Sequence, residues 1–477
     1  MRGAVAAGHP LTAEAGARVL AAGGNAVDAC VAAACVSWVC ESPLTGPGGG
    51  GFMLVHDARD GRTRVLDFFV AVPQAAAAGK LLELAVDFDG DTQQLFRTGA
   101  AAVAVPGTLR GLEVAHARWG RLPWRELVAP SAQLAREGVE LTPSQAYLHR
   151  ILDGLLRHTP EGDAMYGPGR PLDTGQRLAL PDLASTLERI ADEGAAALYR
   201  GELAREIVDH VRSGGGALSL EDLESYRVIR RRPVAVSYRG HEFRSNPPPS
   251  SGGVLIALGL RALGDGRPSA GAVAAAMEVQ EAARGAAFAR ALYRGGAAQK
   301  LLSGTTHISV VDGKGYAVSL SASLGSGSGV VVPGAGVHLN NMLGEADLAG
   351  ASKPGERLTS MMAPSLVLRE GRPRLVVGSA GSNRLRGAIL QVVANVVGEG
   401  MEVEAAVEAP RVHAEAGVVH CEDASVADAL EREGRAVVRW RERNLYFGGV
   451  GAVEVREDGT LAAAGDPRRG GAGVVVS

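Results

Sequence analysis

Gly304-Thr305-Thr306-His307-Ile308-Ser309-Val310-Val311-Asp312 is a glycine, a threonine pair, and then an apolar-alternating run with strand character. A threonine hydroxyl is a poor nucleophile near neutral pH unless a base stands beside it. The residue's own α-amine is such a base, but only once the preceding peptide bond has been cut. The stretch therefore reads as a self-cleavage point at Gly304–Thr305, with Thr305 as the nucleophile. Read alone, the motif is weak, and the ordinary β-propensity of two adjacent threonines is the stronger reading.

Working outward, Gly313-Lys314-Gly315 is a hairpin turn signal between strands predicted at 306–312 and 316–323. Pairing about that turn sets Thr305 opposite Ala322 or Ser323, which delivers a second hydroxyl beside it. Further strands are predicted at 362–369 and 374–378, then a helix at 386–399. On the N-terminal side, residues 11–22 form an amphipathic helix stopped by Gly23-Gly24. Residues 26–40 form a helix apolar all round, capped by Asn25 or Asp28. The run Gly48-Gly49-Gly50-Gly51 precedes strands at 52–56 and 64–69. It lacks a following Lys-Ser/Thr and GxGxxG spacing, so it reads as close backbone packing and not a phosphate loop. Residues 107–220 read as a helical layer without strand alternation, and 230–243 as strands. A proline elbow at 246–253 leads to helices at 254–263 and 272–292. A small-residue linker, 295–304, ends at the proposed cut.

The 477 residues can bury a large core; 46% are apolar and 21% charged, a globular balance. A net charge of −3, 4% aromatic residues and no basic stripe argue against a nucleic-acid partner. No apolar run reaches membrane-spanning length, and the N-terminus is not a convincing signal peptide, so no membrane partner and a cytoplasmic setting are expected. Cys30, Cys35 and Cys40 recur every five residues, without CxxC pairs or histidine partners at ligand spacing. With Cys421 they read as reduced core thiols; no metal and no cofactor are expected.

The ordered motifs resemble the γ-glutamyltransferase (γ-glutamyltranspeptidase) family of N-terminal-nucleophile hydrolases across nearly the whole chain. They are Gly23-Gly24-Asn25-Ala26-Val27-Asp28-Ala29, Gly48-Gly49-Gly50-Gly51-Phe52-Met53-Leu54, Pro247-Pro248-Pro249-Ser250-Ser251-Gly252-Gly253 and the stretch from Thr305 to Asp312. Leu339-Asn340-Asn341, Leu358-Thr359-Ser360-Met361, Gly378-Ser379-Ala380-Gly381-Ser382-Asn383-Arg384 and Gly465-Asp466-Pro467-Arg468 follow in the family's order. The resemblance implies an α/β fold of four layers, an αββα sandwich. It also implies one precursor that cleaves itself into two interlocked segments, 1–304 and 305–477. By the same resemblance Thr305 attacks a substrate carbonyl with its free amine as base, and Ser323 stands where a family threonine hydrogen-bonds the nucleophile. Gly381 and Ser382 stand at the oxyanion-hole N–H groups, and Thr359 and Ser360 at a serine pair that holds the substrate's α-carboxylate.

The departures bear on substrate. The family's Asp-Phe-Arg-Glu supplies an arginine for the glutamyl α-carboxylate; here it is Asp67-Phe68-Phe69-Val70. Loss of that charge-assisted contact makes the site apolar. The family's Gln/Glu-Met-Asp-Asp is Met342-Leu343-Gly344-Glu345, an asparagine is replaced by Gly325, and the segment before the cut is shorter than usual. These residues imply a hydrolase or acyltransferase whose small-molecule substrate is not a simple γ-glutamyl amide, as in specialised metabolism such as antibiotic biosynthesis. The alternatives are an ordinary γ-glutamyl hydrolase or transpeptidase, a hydrolase of a carbon–carbon bond beside a carbonyl, and a catalytically inactive scaffold. Among the remaining residues, His307 reads as structural, Asp312 and Lys314 as hairpin surface, and Arg384 as a packed ion-pair partner. Arg230, Arg231 and Arg232 read as a solvated strand edge, and Glu345 as either an amine contact or part of a solvent-facing loop.

Overall fold

The computed structural model describes residues 2–88, 92–284, 304–345 and 353–477. The predicted linker up to residue 303 and the end of the helix predicted at 272–292 lie outside them. The chain is mixed helix and sheet, organised on two large sheets. The first has seven strands in the order Ala472–Val476, Gly3–Ala7, Gly304–Asp312, Ala317–Gly325, Gly50–Asp57, Arg62–Phe68, Ile229–Arg231. The second has six, in the order Leu461–Gly465, Gly449–Val455, Arg372–Ala380, Ser365–Arg369, His241–Ser245, Val234–Tyr238.

The period-2 alternation of strand side chains sorts these residues into separate cores. In Gly3–Ala7, Val5 and Ala7 join a cluster with the helices Pro10–Ala21 and Ala26–Cys40, whereas Ala4 and Ala6 join another with Leu366, Val376 and Val453 of the second sheet. In Arg372–Ala380, Val376 faces the first sheet while Leu375 and Val377 face the helices Gly252–Leu263, Ala270–Ala283 and Leu385–Val393. Strands apolar on both faces are thus covered on both faces. Ala26–Cys40 is buried along its entire length, which explains an apolar sequence with no polar side.

The glycine run follows the packing expectation. A Cβ on Gly49 would lie 2.4 Å from the Ser323 carbonyl oxygen, and one on Gly51 2.4 Å from that of Ser321. Asn25 caps Ala26–Cys40 in a reciprocal box with Asp28, so both candidate caps act together. All four cysteines are free and buried.

Some expectations need correction. The span 107–220 holds a short strand pair, Val139–Glu140 with Arg177–Leu178, and an unforeseen hairpin, Leu82–Phe88 with Thr92–Thr98, precedes it. Asp312 is not hairpin surface: it is 2% exposed and accepts N–H groups from Ala26 at 3.1 Å, Lys314 at 2.8 Å and Tyr316 at 3.1 Å. Arg231 is not merely solvated, since its Nε donates to the buried Asp67 at 2.7 Å. Among the described residues no helix is long and apolar enough to cross a membrane.

Candidate active site

The hairpin of Gly304–Asp312 with Ala317–Gly325 runs in register from Val311 opposite Ala317 to Thr306 opposite Ala322, then slips between Thr306 and Gly304. Such an irregularity bends a strand end and re-aims its side chains. Thr305, at the slip, is 1% exposed, and its Oγ1 is buried without a hydrogen-bond partner among the described residues. Ser323 stands near it, as its register predicts, but its Oγ donates to the carbonyl oxygen of Gly304 and accepts the Gly325 N–H at 2.8 Å. In the uncut chain that hydroxyl grips the carbonyl of the Gly304–Thr305 bond, where attack on the carbon would build negative charge.

Gly325 has φ 77°, and a Cβ there would lie 2.0 Å from Asn341 Oδ1 and 2.7 Å from Glu345 Oε1. No asparagine side chain fits that place, which gives a steric reason for the departure. Glu345 is 7% exposed, so it belongs to this buried corner and not to a solvent-facing loop. Gly381 and Ser382 have φ values of 123° and 55° and lead through the turn Ser382–Arg384 into the helix Leu385–Val393. A left-handed serine is a strained conformation held by its surroundings. Ala380, just before the pair, lines the same cavity as Thr305.

Phe69 stacks on Phe52 with centroids 5.3 Å apart, in one cluster with Val70, Met342, Leu358 and Met362. The Leu358 N–H donates to Val70 O at 3.1 Å, which ties the Thr359-Ser360 segment to Phe69. Thr359 and Ser360 are both buried, and Ser360 Oγ accepts the Met362 N–H at 3.0 Å. Phe69 and Met342 thus share one apolar cluster, to which the Thr359-Ser360 segment is tied.

His307 lies between the sheets under Gly378. Its Nε2 hydrogen-bonds Ser309 Oγ at 2.9 Å and its Nδ1 Ser321 Oγ at 2.9 Å. Ser309 Oγ spends its proton on Gly451 O at 3.0 Å, so Nε2 carries the ring proton. Burial lowers the His307 pKa to about 3 and keeps it neutral. Arg384 is not an ion-pair partner among the described residues; its guanidinium lies 4.3 Å from the Tyr446 ring centroid, and burial lowers its pKa to about 10. No group of three or more His, Cys, Asp or Glu able to hold a metal occurs among the described residues.

One acid at the site escaped the sequence reading. Glu41 directly follows the buried helix and is 6% exposed. It accepts the Thr306 hydroxyl at 2.6 Å on Oε2 and the Thr12 hydroxyl at 3.2 Å on Oε1. Burial raises its pKa to about 7 against the lowering effects of those hydroxyls and of Arg469. Its sequence signal was its isolation as the sole acidic residue between Asp28 and Asp57. Glu41, Thr305, Thr306 and Arg469 line one cavity of about 30 Å³.

The family model described as Gamma-glutamyltranspeptidase matches residues 12–293 and 269–476. Acylase ACY 1 proenzyme of Pseudomonas sp. (strain SE83) is 36% identical over 531 residues, covering 100% of this chain and 94% of its own. Glutathione hydrolase proenzyme of Bacillus subtilis (strain 168) is 30% identical, covering 100% and 92%. The crystal structure of cephalosporin acylase from Bacillus halodurans superposes with a TM-score of 0.84 at 26% identity, covering 99% of this chain and 95% of that one.

Proposed function

The chain belongs to the γ-glutamyltranspeptidase family, and from that premise we propose that it is an autoprocessing N-terminal-threonine acylase. It cuts itself into 1–304 and 305–477, two halves of one αββα sandwich. It then cleaves an amide or related acyl group through a Thr305 ester. The freed α-amine takes the hydroxyl proton as Oγ attacks and returns it to the leaving group. Ser323 orients the reacting groups, and the N–H groups of Gly381 and Ser382 stabilise the oxyanion.

The observation that carries the substrate reading is the Phe52–Phe69 stack in one cluster with Met342, Leu358 and Met362. A glutamyl α-carboxylate placed there would meet carbon where the family offers a guanidinium. The unmet desolvation of that carboxylate costs about 1.5–3 kcal/mol, or roughly 10- to 100-fold in affinity. An apolar acyl chain loses nothing there. Acylase names among the relatives agree with this direction, and glutathione hydrolase is the competing one.

The test is a pair of p-nitroanilides, γ-glutamyl and hexanoyl, assayed on purified protein, with denaturing electrophoresis alongside. Two bands are expected for the native chain, one for Thr305→Ala, and a kcat/KM at least about tenfold higher for the hexanoyl substrate. Robust γ-glutamyl turnover would sink the substrate assignment. A single intact band in active material would sink the mechanism.

A further inference from the structure

Several residues that line the cavity behind Thr305 carry polar atoms with unused hydrogen-bonding capacity. Thr305 Oγ1, His149 Nδ1 and both Nε and Nη1 of Arg469 are buried without partners among the described residues, and all three residues line it. At about 30 Å³ the space is large enough for one water molecule, which polar groups of these residues would have to hold. Glu41 forms part of the same wall. Each of its oxygens accepts one hydroxyl, from Thr12 and Thr306, which leaves two of a carboxylate's four lone-pair positions unused. Gly8 permits the approach: a Cβ there would lie 2.4 Å from Glu41 Oε2.

We propose that Glu41, acting through a water in this cavity, accepts the Thr305 hydroxyl proton when the chain cleaves itself. This rests on the assignment of Thr305 as the self-cleaving nucleophile, and it supplies the base that step lacks, because the α-amine is still an amide. Thr305 Oγ bonds to the Gly304 carbonyl carbon. Its proton passes to the water, and a water proton passes to Glu41. The oxyanion on Gly304 O keeps the hydrogen bond from Ser323. The carbon–nitrogen bond then breaks as the Thr305 nitrogen receives the proton back from Glu41 through the same water. A second water hydrolyses the resulting ester to the Gly304 carboxylate and the Thr305 hydroxyl. Glu41 ends as it began, and it serves as a positioning proton acceptor that never touches the scissile carbon.

The groups facing Glu41 leave it as the one titrating near neutrality. Burial lowers the pKa values of His9 and His149 to about 4, and it raises that of the Cys40 thiol well above its ordinary value. Arg469 is lowered only to about 10 and stays cationic. Asp466 is held as an anion by Arg411 and Arg468. Thr12 and Thr306 do not titrate.

The experiment follows freshly translated precursor, made cell-free with labelled methionine and diluted into buffers from about pH 5.5 to 8.5. Its conversion to two bands is read on denaturing gels. The native chain should cleave about tenfold faster per pH unit until a plateau begins near pH 7. Glu41→Gln should cleave about 100-fold more slowly, with that inflection gone. If Glu41→Gln processes within about threefold of the native rate and keeps the inflection, the relay is wrong. Should Glu41→Gln fail to melt cooperatively, Thr12→Val decides. Loss of the hydroxyl on Oε1 should move the inflection to higher pH, and an unmoved inflection overturns the proposal. A native precursor that never cleaves at Gly304–Thr305 instead refutes the nucleophile assignment beneath it.

Discussion

Glu41 carries a stability consequence separate from any role in cleavage. Its pKa rises on folding from the ordinary 4.5 to about 7 because burial outweighs two hydroxyl donors and the Arg469 charge. The folded chain therefore holds a proton that the unfolded chain releases. The stability this proton supplies is complete below pH 4.5 and is lost as the pH rises through about 7. At 1.36 kcal/mol per unit, the charged form costs about 3 kcal/mol of folding stability above pH 7. In uncleaved Thr305→Ala protein, Glu41→Gln should leave urea stability nearly unchanged at pH 4.5 and raise it by about 2–3 kcal/mol at pH 8. Equal effects at both pH values would show that Glu41 is not neutral in the fold. Thr305, Ser323 and Phe69 were legible as residues because their chemistry belongs to a linear motif. Glu41 was not, because its partners Thr12 and Thr306 lie 29 and 265 positions away.

The hairpin of Gly304–Asp312 with Ala317–Gly325 was readable from its alternation and turn, including a register that brings Ser323 beside Thr305. The slip at Thr305 was not readable, since it departs from the register the turn sets, and the close packing of its partner Gly325 against Asn341 and Glu345 is long-range. The turn also conceals a long-range tie. Asp312 closes it through Lys314 and Tyr316 and caps Ala26–Cys40 through the Ala26 N–H, so one carboxylate joins two elements. Asp312→Ala would leave the buried Ala26 and Tyr316 N–H groups, and the half-buried Lys314 N–H, without that acceptor and should cost about 3 kcal/mol in urea unfolding of the Thr305→Ala chain. Lys314→Ala, two residues on, should change stability by no more than about 0.5 kcal/mol. Comparable losses for both would mean that the turn, and not the helix tie, is what Asp312 supports.

For the molecule as a whole, strand order decides what self-cleavage can do. Gly3–Ala7 is hydrogen-bonded on one side to Gly304–Asp312 and on the other to Ala472–Val476, so the two segments alternate within one sheet. A buried ion network of Arg411, Asp466, Arg468 and Glu422 secures the C-terminal end, and breaking such a network leaves uncompensated charge. After cleavage the two segments should co-elute on native gel filtration and part only in denaturant; separation in native buffer would contradict the interleaving. By itself the sequence determined the family and the hairpin, and it singled out Thr305 as the proposed nucleophile and Phe69 where the family has an arginine. Each of these resides in local order or in a short motif. The tertiary structure alone decided that Ser323 holds the Gly304 carbonyl, that Glu345 is buried, and that a lone acid shares a cavity with Thr305. Those facts depend on residues far apart in the chain, and only the folding of the chain brings their side chains within hydrogen-bonding reach.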